Sequence, residues 1–276
     1  MAQHKLKLAI LDMYDGTLNQ GMRCIQEILS EFSQDIDYQI FDVRKKVEIP
    51  DLSFDIFIST GGPGDPREGD GVWDKAWGSW LDTVYHFNKT VSAKRRKQVF
   101  FICHSFQMAC LHFKMASVTA RKSMSFGTFP VYLTSSGCNE PIFEALSNPF
   151  HIADFRHYQV IQPDTQVFSD MKAKILAKEK PRPHVPLERA LMAIRFSKEM
   201  IGTQFHPEAD GDGMLVWFQQ EDKKQQVIAE HGEERYESMI ADLADPNKIE
   251  FTQQVILPTF LRNAIEMLQK NVLELA

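Results

Sequence analysis

Val99-Phe100-Phe101-Ile102-Cys103-His104-Ser105-Phe106-Gln107 is an apolar run that stops at a cysteine and resumes as a helix. Val99 to Ile102 is too short for a buried helix and reads as a central strand. The helical pattern starts at once and runs over His104 to His112. A strand that hands over to a helix at a cysteine exposes the sulfur at the carboxyl edge of the sheet, where open α/β folds place ligands. The helix N-terminus also favours negative charge at that point. A second reading of Cys103 is a small buried hydrophobe, as most free cysteines are. His104 is too close in sequence to serve as its base, because a catalytic base normally comes from a distant part of the fold. The expected contribution of His104 is its backbone N–H.

Working outward, short apolar runs alternate with helical periods, which predicts a parallel sheet with crossover helices. Strands are expected at Leu6–Leu11, Tyr38–Val43 and Phe54–Ser59, with helices at Met22–Phe32 and Trp73–Asn88. Trp73, Trp77 and Trp80 fall at near-helical spacing and read as core. From Phe126 to Ile161 the pattern suggests short strands and turns, with strand candidates at Phe129–Leu133 and Tyr158–Ile161. Lys180 to Pro186 reads as a loop. Ala190–Phe196 and Met200–Phe205 are predicted as two strands around a turn. After Glu208 the chain becomes charged and helical, over Leu215–Asp222, Gln225–Ala244 and Thr252–Gln269. The expected organisation is therefore a domain over residues 1–210 and a helical extension over 211–276 packed on it. The apolar face Val255, Ile256, Phe260, Leu261, Ile265 and Leu268 suits packing within the monomer, with a homodimer contact as the other reading.

Two further segments carry chemistry. Ser59-Thr60-Gly61-Gly62-Pro63-Gly64-Asp65-Pro66 follows a strand and lacks the spacing of either common phosphate loop. Its glycines let backbone N–H groups approach a ligand closely. Gly62 and His104 are the expected pair of oxyanion-hole donors. Gly202-Thr203-Gln204-Phe205-His206-Pro207-Glu208 closes a later strand. His206 and Glu208 are two apart, so on an extended segment their side chains point the same way. That lets Glu208 orient the imidazole as the acid does in a Ser-His-Asp triad.

In content and order these segments resemble class I (triad) glutamine amidotransferases. That family has a Gly-Gly-Pro-Gly loop, then a Gly-Ile-Cys-x-Gly-x-Gln elbow, then a Gly-x-Gln-Phe-His-Pro-Glu strand. The likeness covers roughly residues 5–210 and leaves out the tail. It implies a flavodoxin-like three-layer α/β/α sandwich with a mostly parallel central sheet, and a triad of Cys103, His206 and Glu208. It also implies a γ-glutamyl thioester on Cys103, and contact of Gln107 with the amino-acid end of the substrate. The elbow departs from the family at Phe101 and Ser105, where glycines are usual. Ser105 is expected to narrow the substrate pocket or to add a hydroxyl to it. The reaction implied is hydrolysis of a γ-glutamyl amide, glutamine or a related compound, with release of ammonia or an amine. A γ-glutamyl peptidase on glutathione-like conjugates and a non-catalytic binding domain of the same fold are the alternatives. A synthase subunit receiving ammonia is an implied partner.

Composition narrows the classes. The chain has 276 residues, 43% hydrophobic and 25% charged, with a formal net charge of -6. That balance argues against non-specific nucleic-acid binding, which needs a basic surface. The four cysteines show no C-x-x-C pair and no zinc-type spacing, so neither a metal nor another cofactor is expected. No secretory segment and no apolar stretch of ~20 residues is read in the sequence, which gives a cytoplasmic expectation and no membrane partner.

Overall fold

The computed structural model describes residues 5–17, 19–182 and 188–269. The first half alternates strand and helix: β1 (Leu6–Asp12), α1 (Gln20–Ser30), β2 (Ile36–Asp42), the short α2 (Val43–Lys46), β3 (Ile56–Ser59), α3 (Trp73–Thr90), β4 (Gln98–Ile102) and α4 (His104–His112). Then come β5 (Ser117–Leu133), β6 (Phe150–Ile161), α5 (Thr165–Met171), β7 (Lys174–Glu179), β8 (Leu191–Arg195) and β9 (Met200–Thr203). The chain continues in α6 (Gly211–Phe218), α7 (Glu221–His231), α8 (Glu233–Leu243) and α9 (Ile249–Gln269).

The nine strands among the described residues form one sheet in the order β2-β1-β3-β4-β9-β8-β7-β5-β6. The pairs from β2 to β9 are parallel, and their order is that of flavodoxin-like sheets. The pairs from β9 to β6 are antiparallel. Alternation along each parallel strand sorts its side chains between two layers. Leu8, Ile10, Phe100 and Ile102 face a core shared with α1 and α9. Ala9, Leu11, Phe57, Val99 and Phe101 face a core shared with α3 and α4, where Trp73, Trp77 and Trp80 are buried. Helices on both faces of the sheet make the expected three-layer sandwich.

α9 completes one of those layers. Val255, Ile256, Leu257, Phe260, Leu261 and Ala264 are buried in the same cluster as the sheet, and the Phe260 ring meets Phe100 edge-on at 5.2 Å. Each such large side chain contributes about 1.5–3 kcal/mol on burial, so α9 is held as firmly as a crossover helix. α6, α7 and α8 pack instead on the β5–β6 pair through Phe218, Val227, Tyr236 and Met239.

Three expectations need correction. The stretch Phe126–Ile161 is no set of short strands: it lies in a long hairpin, β5 with β6, whose register shifts between Ala120 and Ser125. The polar residues Arg121, Lys122 and Ser123 within that irregularity hide the strand from a hydrophobicity reading. Gln225–Ala244 is two helices, because Gly232 adopts φ +87 between them, a conformation that ends a helix and that glycine favours. The helix expected at Leu215–Asp222 is the end of α6 and the start of α7, broken at Gln219 and Gln220, and α6 starts earlier, at an Asp210 side-chain cap on the Gly213 N–H (2.9 Å). Residues 183–186 of the loop expected at Lys180–Pro186, residue 187 after it, and residues 270–276 of the tail lie outside the described residues.

Candidate active site

Four neighbouring parallel strands, β1, β3, β4 and β9, end on one edge of the sheet. Their carboxyl ends deliver Tyr14, the glycine loop, Cys103 and the His206–Glu208 segment. Cys103 is the turn from β4 into α4. Its backbone sits at φ +46, ψ -97, a region that a residue with a side chain occupies only when its surroundings hold it there. The holding contacts are visible. The Cys103 N–H donates to the Thr203 carbonyl (2.8 Å), and the Cys103 carbonyl accepts from the Gln107 N–H (3.0 Å). The Ser105 hydroxyl donates to the Ser59 carbonyl (2.6 Å) and accepts from the Ile102 N–H (3.1 Å).

That pairing corrects the expectation for Ser105. Its hydroxyl is spent between the carboxyl ends of β3 and β4, and it ties the elbow to the strand that carries the glycine loop. Gln107 is also buried. Its amide donates to the Gln204 side-chain oxygen (3.1 Å) and the Tyr158 carbonyl (3.3 Å). Gln204 in turn reaches the Cys103 sulfur, Nε2 to Sγ 3.8 Å.

Because β9 lies beside β4 in register, with Ile102 opposite Thr203, the segment after β9 comes back to the elbow. The His206 and Cys103 side chains both pack on Gly61. A Cβ built there would lie 2.8 Å from His206 Cε1 and 3.6 Å from Cys103 Cβ. His206 Nδ1 is 2.8 Å from Glu208 Oε1. With the carboxylate as acceptor, Nδ1 carries the proton and Nε2 is left to accept one. Glu208 is completely buried and sits at the first turn of α1, whose N-terminus favours an anion. A side chain at Gly21 would run into the Tyr14 hydroxyl and would come within 3.0 Å of Glu208 Oε1. Burial pulls the His206 pKa down, but the Glu208 carboxylate and the Cys103 sulfur outweigh it and carry it well above its ordinary value.

The glycine loop is rigidly placed. The Thr60 hydroxyl accepts from the Met13 N–H (3.0 Å) and donates to the Gly61 carbonyl (2.9 Å). Arg44 donates to the Pro63 carbonyl (2.6 Å). A Cβ at Gly62 would run into the Met13 carbonyl oxygen, so only glycine lets the loop pass there. His104 begins α4, so its N–H has no acceptor within that helix.

The His104 ring is buried, and Nε2 has no hydrogen-bond partner among the described residues. Burial and the nearby Arg44 charge lower its pKa to about 4, with Asp65 opposing. The unfolded chain takes up this proton near pH 6.5 and the folded chain only near pH 4, so stability falls as pH drops through that window. Between pH 7.5 and 5 the loss is about 2 kcal/mol. Thermal melts of His104→Gln are expected to show a smaller acid-induced fall in Tm than the parent. An equal fall in both would contradict this.

Among the described residues, Cys24, Glu27 and Asp210 bring donor atoms within 4.8 Å of one another. Arg23 occupies that position, donating to Glu27 (2.6 Å) and Asp210 (2.8 Å), so the cluster has its cation already. Tyr14 and Gln204 are the site residues that sequence reasoning missed. Gln204 stood within the quoted third segment, whereas nothing in the sequence singles out Tyr14. No described helix is long and apolar enough to cross a membrane.

The family model for class-I glutamine amidotransferases matches residues 9–214. The chain belongs to that family. Its members typically use a cysteine nucleophile. A glutamine amidotransferase from Thermotoga maritima superposes with a TM-score of 0.68 at 15% identity, covering 95% of this chain and 99% of its own. A glutamine amido transferase from Methylobacillus flagellatus gives 0.58 at 12% identity, covering 98% of this chain and 94% of its own. The glutaminase domain of Trypanosoma brucei CTPS, solved with bound acivicin, gives 0.52 at 16% identity, covering 74% and 86%. At these identities the likeness establishes a shared fold. No curated protein sequence matches the chain significantly.

Proposed function

We propose that this amidotransferase-family protein hydrolyses γ-glutamyl amides through a thioester on Cys103. The supporting observation is the convergence of the Cys103 and His206 side chains on Gly61, with Glu208 2.8 Å behind the imidazole. His206 Nε2 takes the thiol proton as sulfur attacks the γ-carbonyl carbon. The oxygen of the tetrahedral intermediate accepts from the backbone N–H groups of Gly62 and His104. The C–N bond then breaks and the same proton passes to the leaving nitrogen. Water, losing a proton to His206, attacks the thioester. The C–S bond breaks, glutamate leaves and the thiol is restored. Ser105 and Gln204 hold the sulfur in place, and Gln107 holds Gln204.

The catalytic unit in this reading is residues 1–210, with 211–276 as an extension. Ammonia or amine is released to solvent or to a synthase subunit. The assay that tests the reading compares amine release from L-glutamine and γ-glutamyl amides with release from α-linked glutamyl amides. Turnover confined to the γ-linked compounds is expected. Turnover of the α-linked series alone would replace this reading with a peptidase.

A further inference from the structure

A cavity of about 270 Å³ opens beside His206. Its wall includes His206 and Glu208 but, among the described residues, none of Cys103, Gly62, His104 and Gln107. The groups that would hold the acyl half of a substrate therefore lie elsewhere. The imidazole, which returns a proton to the leaving nitrogen, is what the cavity shares with the reaction. Whatever is attached to that nitrogen is the part of a substrate placed to fill it.

The lining has a definite chemistry. Phe155, Met214, Trp217 and Phe218 supply an aromatic and thioether surface on the side of α6. The Phe155 and Phe218 rings stack at 6.4 Å, and Trp217 meets Phe218 edge-on at 4.7 Å. A cavity of ~150 Å³ already holds a benzene ring, so this one takes a single aryl or short alkyl group and not a dipeptide.

Its rim does not favour a carboxylate. Arg23 is the rim's guanidinium, and its donors are spent on Gln20 (2.7 Å), Glu27 (2.6 Å) and Asp210 (2.8 Å). Glu208 and Asp210 line the cavity and Glu27 lies behind Arg23, so an incoming carboxylate would meet two lining carboxylates and a guanidinium whose donors are already taken.

Resting on the thioester reading above, we propose that the cavity is the leaving-group subsite, and that the preferred substrates are γ-glutamyl amides of apolar amines without a carboxylate. Glutathione-like conjugates, whose leaving group ends in a carboxylate, are disfavoured by the same rim.

The test compares kcat/KM for L-glutamine, γ-glutamyl-phenethylamide and γ-glutamyl-phenylalanine, the last two differing by one carboxylate. The phenethylamide is expected to exceed each of the others by about tenfold or more, the scale on which apolar pockets discriminate. In Trp217→Ala the ratio of phenethylamide to glutamine should fall at least about fivefold. Equal or reversed preferences, or an unchanged ratio in the variant, would overturn the subsite. Calorimetric titration of the parent protein with phenethylamine and with phenylalanine reads the cavity without turnover. Binding of the amine but not the amino acid supports the subsite even if no γ-glutamyl compound is hydrolysed, a result that would count against the thioester reading alone. No binding of phenethylamine, with γ-glutamyl turnover intact, would overturn the subsite and leave that reading standing.

Discussion

Cys103→Ala is expected to lower γ-glutamyl amide hydrolysis by about 10⁴–10⁶-fold, the scale on which removing a nucleophile disables a triad enzyme. The fold should survive. The substitution keeps Cβ and removes only the Cys103 sulfur, and the strained backbone around it is held by the Thr203 carbonyl and Ser105. Alanine at φ +46 keeps whatever strain cysteine has there, so the two proteins should melt within a few degrees of each other. Residual hydrolysis within about tenfold of the parent would place the nucleophile elsewhere. Circular dichroism melts of both proteins separate loss of chemistry from loss of structure.

Glu208→Gln is the second large effect. The carboxylate is fully buried, accepts from His206 Nδ1 at 2.8 Å, and raises the imidazole pKa against the burial that would lower it. An amide of the same shape removes the charge and can present its NH₂ group to Nδ1, which favours the wrong tautomer. The comparable change in a serine protease triad costs about 10⁴-fold in kcat, and a loss of about 10²–10⁴-fold is expected here. The imidazole titration followed by NMR should move to lower pH, since the charge that stabilised the imidazolium is gone. A normal rate with an unmoved titration would show that Glu208 only fills space.

How far the sequence carried this account differs by region. Most of the parallel half of the sheet was legible because β1, β3 and β4 are buried and read as apolar runs bounded by turns, while the exposed edge strand β2 was read from its alternation. Leu6–Asp12 and Gln98–Ile102 differ from expectation by a residue at one end. The β5–β6 hairpin was not legible, because Arg121, Lys122 and Ser123 interrupt any apolar pattern. Their place in a strand follows from long-range pairing that no local signal reports. α5 and β7 were missed because polar residues break their apolar pattern, Thr165, Gln166, Ser169 and Asp170 in the one and Lys174, Lys178 and Glu179 in the other.

The same contrast holds at the candidate site. Cys103, Gly62 and the His206–Glu208 pair could be singled out because each needs an unusual residue type at a strand end. Ser105 could not be placed, since its partner is the Ser59 carbonyl, 46 positions away. Tyr14 and the aromatic wall from α6 reach His206 only through the tertiary fold. A domain boundary drawn at 210 therefore separates residues that line one cavity.

The most direct test of the central claim is mass-spectrometric mapping of the adduct left by a γ-glutamyl-mimicking diazoketone or chloroketone. Cys24, Cys103 and Cys110 are all buried and Cys138 is exposed, so exposure alone predicts labelling at Cys138. The account predicts one equivalent bound at Cys103, abolished by excess L-glutamine. Labelling spread over Cys138 and the others, or a Cys103 peptide left unmodified while turnover continues, would contradict it.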